Sequence, residues 1–203
     1  MKNGFIIGGF ASIRVFYLPL KHWARDELDL ECRILPDGLM GFNVGDVGKF
    51  LGNASTYLAF AKEPVTLIGH SLGGLQSMWL ATQFPDKVER VFAIASPIHG
   101  LKNSRRQRLL SNHLNVPQEQ FDALRKVLIP RVLDKIVTIS TETDVVCPPE
   151  VCYIEGAGNH LVSLTRFEQR IFPPVSAHLM LPYMSGTRAI LKEHVWKTPS
   201  SLE

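Results

Sequence analysis

Short apolar runs alternate along the chain with stretches in which apolar residues recur at helical spacing. This alternation is typical of a parallel β-sheet with helices packed on its faces. The pattern predicts about six strands, at residues 5–8, 31–36, 65–68, 88–95, 136–140 and 151–154. It predicts helices between them and a closing helix at residues 183–195. The expected fold class is therefore α/β, with a mostly parallel sheet flanked by helices.

One segment breaks the alternation. Residues 101–131 contain no strand pattern, and their apolar residues recur at broadly helical spacing. An insertion of about thirty residues within a compact domain is usually functional. We expect one or two short helices that form a small lid over the carboxyl edge of the sheet, where α/β sheets bind ligands. Residues 1–203 then form a single domain that carries this insertion.

Composition limits the possible classes of protein. Of the 203 residues, 45% are hydrophobic and 20% are charged, which excludes disorder and predicts one globular domain. The formal charge of +3 is too small to indicate a nucleic-acid partner. The sequence shows no membrane span and no signal peptide, so we expect a cytoplasmic protein without stable membrane insertion. The three cysteines are expected to be reduced, and a bridge between Cys147 and Cys152 remains open.

The motif with the clearest chemistry is Gly-x-Ser-x-Gly at residues 69–73, between a predicted strand and a predicted helix. A serine on a tight strand-to-helix turn requires the backbone on either side to pass very close. Gly69 and Gly73 allow this because they lack a Cβ atom. The turn would raise the Ser71 hydroxyl above the sheet. It would also leave the Leu72 amide at a helix N-terminus, where it can stabilise an oxyanion.

A serine hydroxyl needs a base and an orienting carboxylate before it becomes a good nucleophile. Asp144 follows the predicted strand 136–140, and Glu142 is the competing acid. His160 follows the predicted last strand, 151–154, which makes it the expected base. The order Ser71, Asp144, His160 is the one that this type of fold requires.

The other histidines have different expected positions. His99 follows a strand beside the nucleophile strand, and we expect it to line the substrate site together with His70 from the turn. His22, His113, His178 and His194 lie in helical or loop segments, and they are expected to be surface or packing residues.

These motifs together resemble the α/β-hydrolase family, and within it the compact lipases and esterases. The matching segments are residues 69–74, 96–100, 143–148 and 158–161. The resemblance implies Ser71 as nucleophile, Asp144 as acid and His160 as base. Family lipases place a second oxyanion amide just after a His-Gly pair. This chain has Gly8-Gly9 there, so Phe10 is implied, with Ala11 as the alternative and as a substrate-binding residue.

The expected function is a lipase-like or esterase-like serine hydrolase (EC 3.1.1 type) that cleaves a carboxylic ester through an acyl-enzyme. The substrate would be a small acyl ester or a lipid. A thioesterase or acyltransferase with the same triad is one alternative, and a non-catalytic hydrolase-like binding protein is another. No phosphate-binding loop, metal triad or dinucleotide fingerprint occurs in the sequence, so neither a cofactor nor a metal is expected.

The positive charge is concentrated in the predicted lid. Residues 101–131 contain seven Lys and Arg but only two Asp and Glu, whereas the rest of the chain has 15 basic and 17 acidic residues. These charges either form an ordinary solvated helix face or attract an anionic substrate or lipid surface.

Overall fold

The computed structural model describes residues 1–9, 12–35, 47–100, 122–171 and 174–197. Six strands lie in these ranges: β1 (Lys2–Ile7), β2 (Leu30–Leu35), β3 (Val65–His70), β4 (Val88–Ile94), β5 (Ile136–Ser140) and β6 (Gly158–Leu161). They form one sheet in the order β2-β1-β3-β4-β5-β6, and every neighbouring pair is parallel. All six carboxyl ends therefore meet at one edge of the sheet.

The described helices are α1 (Leu18–Leu28), α2 (Val47–Ala59), α3 (Leu72–Gln83), α4 (Pro149–Cys152), α5 (Arg166–Ile171), α6 (Pro174–Met180) and α7 (Ser185–His194). Short 3-10 turns lie at Arg14–Tyr17, Pro85–Lys87, Ile129–Arg131, Leu133–Lys135 and Leu181–Tyr183, and a π-helical turn lies at Leu124–Leu128. Proline at the start of α1 fits its first turn, because an N–H group there has no helical partner.

Two apolar clusters cover the two faces of the sheet. One joins buried residues of α2 and α3 to the strands, and the other joins residues of α1, α4 and α7 to the opposite face. Because both faces are covered, the central strands are almost wholly buried, as parallel strands are. The predicted α/β class, with a parallel six-stranded sheet between helices, is confirmed.

The strand order changes direction beside the turn that carries Ser71. The chain runs from β1 to the sheet edge at β2 and then returns to β3 on the other side of β1. Connections on either side of such a switch point diverge, and ligands of open α/β sheets bind in the gap. The carboxyl ends of β1 and β3 are therefore where a ligand site is expected.

Five of the six predicted strands are confirmed, with small differences at their ends. The sixth is wrong, because residues 151–154 begin inside α4 and continue as a loop. Proline in the first turn of α4 favours a helix there. The last strand is instead β6, which pairs with β5 and contains His160.

The described end of the predicted lid is helical. Residues 122–131 are helical and include a π-helical turn followed by a 3-10 turn. Leu124 and Ile129 pack into the apolar cluster that contains residues of α3. Residues 101–121 lie outside the described residues, so the lid remains a prediction.

Within the described ranges, no helix is both long and apolar enough to cross a membrane.

Cys32, Cys147 and Cys152 are free and buried, in agreement with the expected reduced state. Burial raises the pKa of all three thiols, which makes them weak nucleophiles.

Candidate active site

Ser71 lies on a strained turn between β3 and α3. Its φ angle is 54°, in the left-handed region that non-glycine residues rarely adopt. Its amide donates a hydrogen bond to the carbonyl oxygen of Ile94, at 2.8 Å, which ties the turn to the end of β4. The strained residue is thus held by the sheet, as in the strand-turn-helix arrangement that exposes a nucleophilic serine.

Close backbone contacts explain the two glycines of the motif. A Cβ atom on Gly73 would lie 2.0 Å from the carbonyl oxygen of Ile7, at the end of β1. A Cβ atom on Gly69 would lie 2.5 Å from the carbonyl oxygen of Gly73. No side chain fits either position without displacing backbone, which is the steric reason expected from the sequence.

His178, in α6, is the histidine that contacts Ser71. Its Nε2 atom lies 3.1 Å from the Ser71 Oγ atom, within hydrogen-bond distance. Its Nδ1 atom lies 2.8 Å from Oδ2 of Asp144. Since a carboxylate only accepts, Nδ1 carries the proton, and Nε2 is left free to accept the serine proton. Ser71, His178 and Asp144 thus form one continuous chain of hydrogen bonds.

Asp144 follows β5 and is almost fully buried, with 1% of its surface exposed. Its second oxygen, Oδ1, accepts hydrogen bonds from the amides of Val146 and Cys147, at 2.8 and 2.9 Å. These donors stabilise the ionised carboxylate away from water. Glu142, the competing acid, is exposed to solvent. The structure therefore places Asp144, and not Glu142, beside the histidine.

The predicted base His160 is in a different place. It lies within β6, and its ring packs edge-on against His194 of α7, with ring centroids 4.7 Å apart. The prediction that His160 is the base of the triad is wrong. The last strand begins seven residues later than predicted, so His160 lies inside this strand and not in the loop after it. His178, expected to be a packing or surface residue, takes the position beside the serine instead.

The structure describes one of the two predicted oxyanion donors, Leu72, but not the other, Phe10. Leu72 is the first residue of α3, so its amide lies at a helix N-terminus directly after Ser71. Gly9 lies against the serine, since a Cβ atom on it would be 3.0 Å from the Ser71 Cβ atom. Phe10 and Ala11 follow Gly9 but lie outside the described residues, so both roles remain predictions.

His70 does not line a substrate site. Only 3% of its surface is exposed, and both ring nitrogens have protein partners. Nδ1 lies 2.7 Å from the hydroxyl of Tyr17, and Nε2 lies 2.8 Å from the carbonyl oxygen of His178. With no ring nitrogen open to a ligand, the predicted substrate contact of His70 is wrong.

His99 is half-buried at the edge of a cavity of about 570 Å³. Its Nδ1 atom accepts a hydrogen bond from Arg125 at 2.7 Å, and its Nε2 atom donates to the carbonyl oxygen of Tyr153 at 2.9 Å. Arg125 also pairs with Asp122, at 3.0 Å. A role for His99 in substrate binding remains a prediction.

Within the part of the chain that the structure describes, no group of three His, Cys, Asp or Glu side chains is arranged to hold a metal ion.

Buried histidines predict that the protein loses stability in acid. Burial, and next the nearby His178, lowers the pKa of His70 to about 3. Burial also lowers the pKa values of His160 and His194. Because the unfolded chain takes up these protons first, stability is present above pH ~6.5 and is lost as the pH falls below it. Between pH 6.5 and pH 5, His70 alone should cost about 2 kcal/mol of unfolding free energy.

Urea denaturation at pH 8, 6.5 and 5 measures this loss. A His70→Gln variant should show a smaller loss between pH 6.5 and 5, whereas a variant of the exposed His22, His22→Gln, should match the wild type. An unfolding free energy that stays constant from pH 8 to pH 5 would contradict the prediction.

The sequence of residues 41–149, more than half of the chain, matches the family described as alpha/beta hydrolase fold. The chain belongs to this family. The resemblance inferred from the motifs is thereby confirmed, and the six-stranded parallel sheet is the sheet of an alpha/beta hydrolase. No curated protein matches this alpha/beta hydrolase significantly in sequence.

Solved structures resemble the fold over nearly the whole chain. The ydeN gene product from B. subtilis superposes with a TM-score of 0.64 at 15% identity, covering 96% of this chain and 97% of the other. Est1E from Butyrivibrio proteoclasticus, solved with ferulic acid, gives a TM-score of 0.59 at 17% identity, with 97% and 90% covered. A lipase-esterase related protein from Clostridium acetobutylicum gives 0.59 at 13%, with 94% and 92% covered. At such identities the likeness shows the fold alone.

Proposed function

We propose that this alpha/beta hydrolase is a serine hydrolase that cleaves carboxylic esters, with Ser71 as nucleophile, His178 as general base and Asp144 as the orienting acid. The observation that carries the proposal is the continuous chain from Ser71 Oγ through the His178 ring to the buried Asp144 carboxylate. The names of two similar structures, a lipase-esterase related protein and a putative lipase, support the ester class.

The geometry supports a two-step reaction through an acyl-enzyme. His178 Nε2 takes the proton of Ser71 as Oγ attacks the substrate carbonyl, and Asp144 stabilises the imidazolium that forms. The tetrahedral oxyanion would be held by the amide of Leu72 and by one from the segment after Gly9. The imidazolium then protonates the departing alcohol. Water, activated by the same histidine, releases the acid and restores Ser71.

A fluorophosphonate probe tests the nucleophile directly. The probe phosphonylates an activated serine, so wild-type protein should gain the mass of one adduct, and peptide mapping should place it on Ser71. Ser71→Ala should gain none, and Ser77→Ala, which changes a buried serine of α3, serves as the matched control. Wild-type protein that labels no better than Ser71→Ala would refute the proposal and would favour a non-catalytic binding protein.

A substrate panel then separates esters from thioesters. We expect turnover of p-nitrophenyl esters, tested beside acyl-coenzyme A thioesters of equal chain length. Turnover of the thioesters alone would assign the same triad to a thioesterase instead.

Two exposed apolar residues that follow the acid and the base in the sequence predict a preference for apolar acyl groups. Val145 follows the acid and Leu179 follows the base, and both are about half exposed (54% and 51%). Leu179→Asn should lower kcat/KM for octanoate esters about fivefold, because covering apolar surface of this size contributes about 1 kcal/mol, while acetate esters should change little. Leu161→Asn is the matched control, since Leu161 on β6 is equally exposed and is next to neither the acid nor the base in the sequence. An equal loss on both ester lengths would contradict the prediction.

A further inference from the structure

A second hydrogen-bond chain, separate from the triad, runs beneath the nucleophile turn. It begins at the amide of Gly9, which donates to the Tyr17 hydroxyl at 3.0 Å. The Tyr17 hydroxyl lies 2.7 Å from Nδ1 of His70, and Nε2 of His70 lies 2.8 Å from the backbone carbonyl oxygen of His178. The chain thus joins the segment after β1, the turn before Ser71 and the helix that bears the histidine.

The donor and acceptor capacity of each group determines the direction of every hydrogen bond in this chain. The carbonyl oxygen of His178 can only accept, so the proton of a neutral His70 lies on Nε2. Nδ1 is then an acceptor, and the Tyr17 hydroxyl must donate to it. The Tyr17 oxygen accepts from Gly9 in turn. Burial and the nearby His178 lower the pKa of His70 to about 3, so the ring stays neutral and the bond directions persist across the neutral pH range.

A neutral His70 ring avoids charge repulsion with the neighbouring ring of His178. The rings of His70 and His178 are close, with centroids 5.1 Å apart. A charged His70 would repel the imidazolium that forms on His178 during the reaction. The neutral ring holds the backbone of His178 without opposing that charge.

We propose that His70 and Tyr17 are positioning residues that fix the base His178 and the backbone of Gly9 against Ser71 through one hydrogen-bond chain. This inference rests on the proposed triad. Neither side chain touches the serine oxygen, and their role is to hold the helix that bears His178 and the backbone at Gly9 in fixed positions. Tyr17 is suited to this, since only 1% of its surface is exposed and its ring packs edge-on against Phe16.

Three variants separate the bonds of the chain. His70→Leu removes both ring contacts, His70→Gln keeps a donor near the position of Nε2, and Tyr17→Phe removes one oxygen atom. Tyr183→Phe is the matched control, because it removes a neighbouring tyrosine hydroxyl that bonds to the Phe16 carbonyl and not to His70. The measurements are kcat and KM for a p-nitrophenyl ester, the rate of fluorophosphonate labelling, and the NMR chemical shift of the His178 Nδ1 proton, which reports its hydrogen bond to Asp144.

His70→Leu should lower kcat and the labelling rate about 10- to 100-fold with KM changed less than about twofold, as expected when a base is misplaced. The NMR signal of the His178 Nδ1 proton should move upfield, because a displaced ring makes a weaker hydrogen bond to Asp144. His70→Gln should recover most of the activity and of this chemical shift. Tyr17→Phe should lower kcat about tenfold, and Tyr183→Phe should behave as the wild type.

Several results would overturn the inference. One is a His70→Leu protein with wild-type kcat and an unchanged chemical shift of the His178 Nδ1 proton, and another is a His70→Gln protein no better than His70→Leu. If His70→Leu does not fold, Tyr17→Phe decides, and an unchanged kcat in that variant overturns the inference. Failure of the proposed function looks different, because the wild-type protein itself would then resist the probe. The chemical shift of the Nδ1 proton needs no turnover and still tests the positioning of His178.

Discussion

Replacing His178 with alanine should lower kcat for ester hydrolysis by about 10⁴- to 10⁶-fold, because Ser71 would lose the group that accepts its proton. The Nε2 atom of His178 lies 3.1 Å from the serine oxygen. Without it the hydroxyl keeps its ordinary weak nucleophilicity, and only substrate binding and the oxyanion donors remain. Steady-state kinetics on a p-nitrophenyl ester, with active sites counted by fluorophosphonate titration of the wild type, measures the loss.

His160 provides the control for this experiment. His160 lies in the carboxyl half of the chain, as His178 does, and it is partly buried. Its ring, however, packs against His194 and not against the serine. His160→Gln should leave kcat within about threefold of the wild type once equal amounts of folded protein are compared. If His160→Gln abolishes activity and His178→Ala does not, the geometry of the proposed triad is not that of the working enzyme.

Replacing Asp144 with asparagine should lower kcat by about 10⁴-fold while the protein remains folded. The amide can donate to Nδ1, which favours the histidine tautomer whose proton lies on Nε2, the atom that must accept the serine proton. The change also removes the negative charge that stabilises the imidazolium. Circular dichroism and thermal melting would establish that the variant is folded, and ester kinetics would measure the loss.

Glu142 distinguishes this effect from a general loss of negative charge near the site. It is exposed and lies two residues before Asp144, so Glu142→Gln should retain kcat within about twofold. Equal losses in the two variants would mean that the acid acts through long-range charge rather than through its hydrogen bond to His178.

Much of the fold follows from local patterns in the sequence. The strands β3, β4 and β5 are rich in apolar and β-branched residues, because both of their faces are buried, although β4 also includes Glu89 and Arg90. The turn at Ser71 is equally local, because its glycines and its serine are neighbours in the sequence. Asp144 lies in the loop that follows β5 and was therefore predictable from the end of a correctly placed strand.

The base could not be located in the same way. The apolar run at residues 151–154 suggested a last strand, although the prolines before it favour the short helix α4. The true strand β6 is short and polar, and it lies at the sheet edge, where the apolar signal is weak. Once β6 is placed, His178 is the first histidine after it, but α5 intervenes, and no local motif marks that position.

The contacts of Asp144 bear on how the proposed hydrolase could be redesigned. Its Oδ1 atom is held by two main-chain amides, those of Val146 and Cys147, and a main-chain donor persists with every side chain except that of proline. Val145 donates to neither oxygen and is exposed, so randomising position 145 to reach new acyl groups should leave the carboxylate in place. The acid is anchored independently of this exposed side chain, and that separation makes position 145 a suitable starting point for directed evolution.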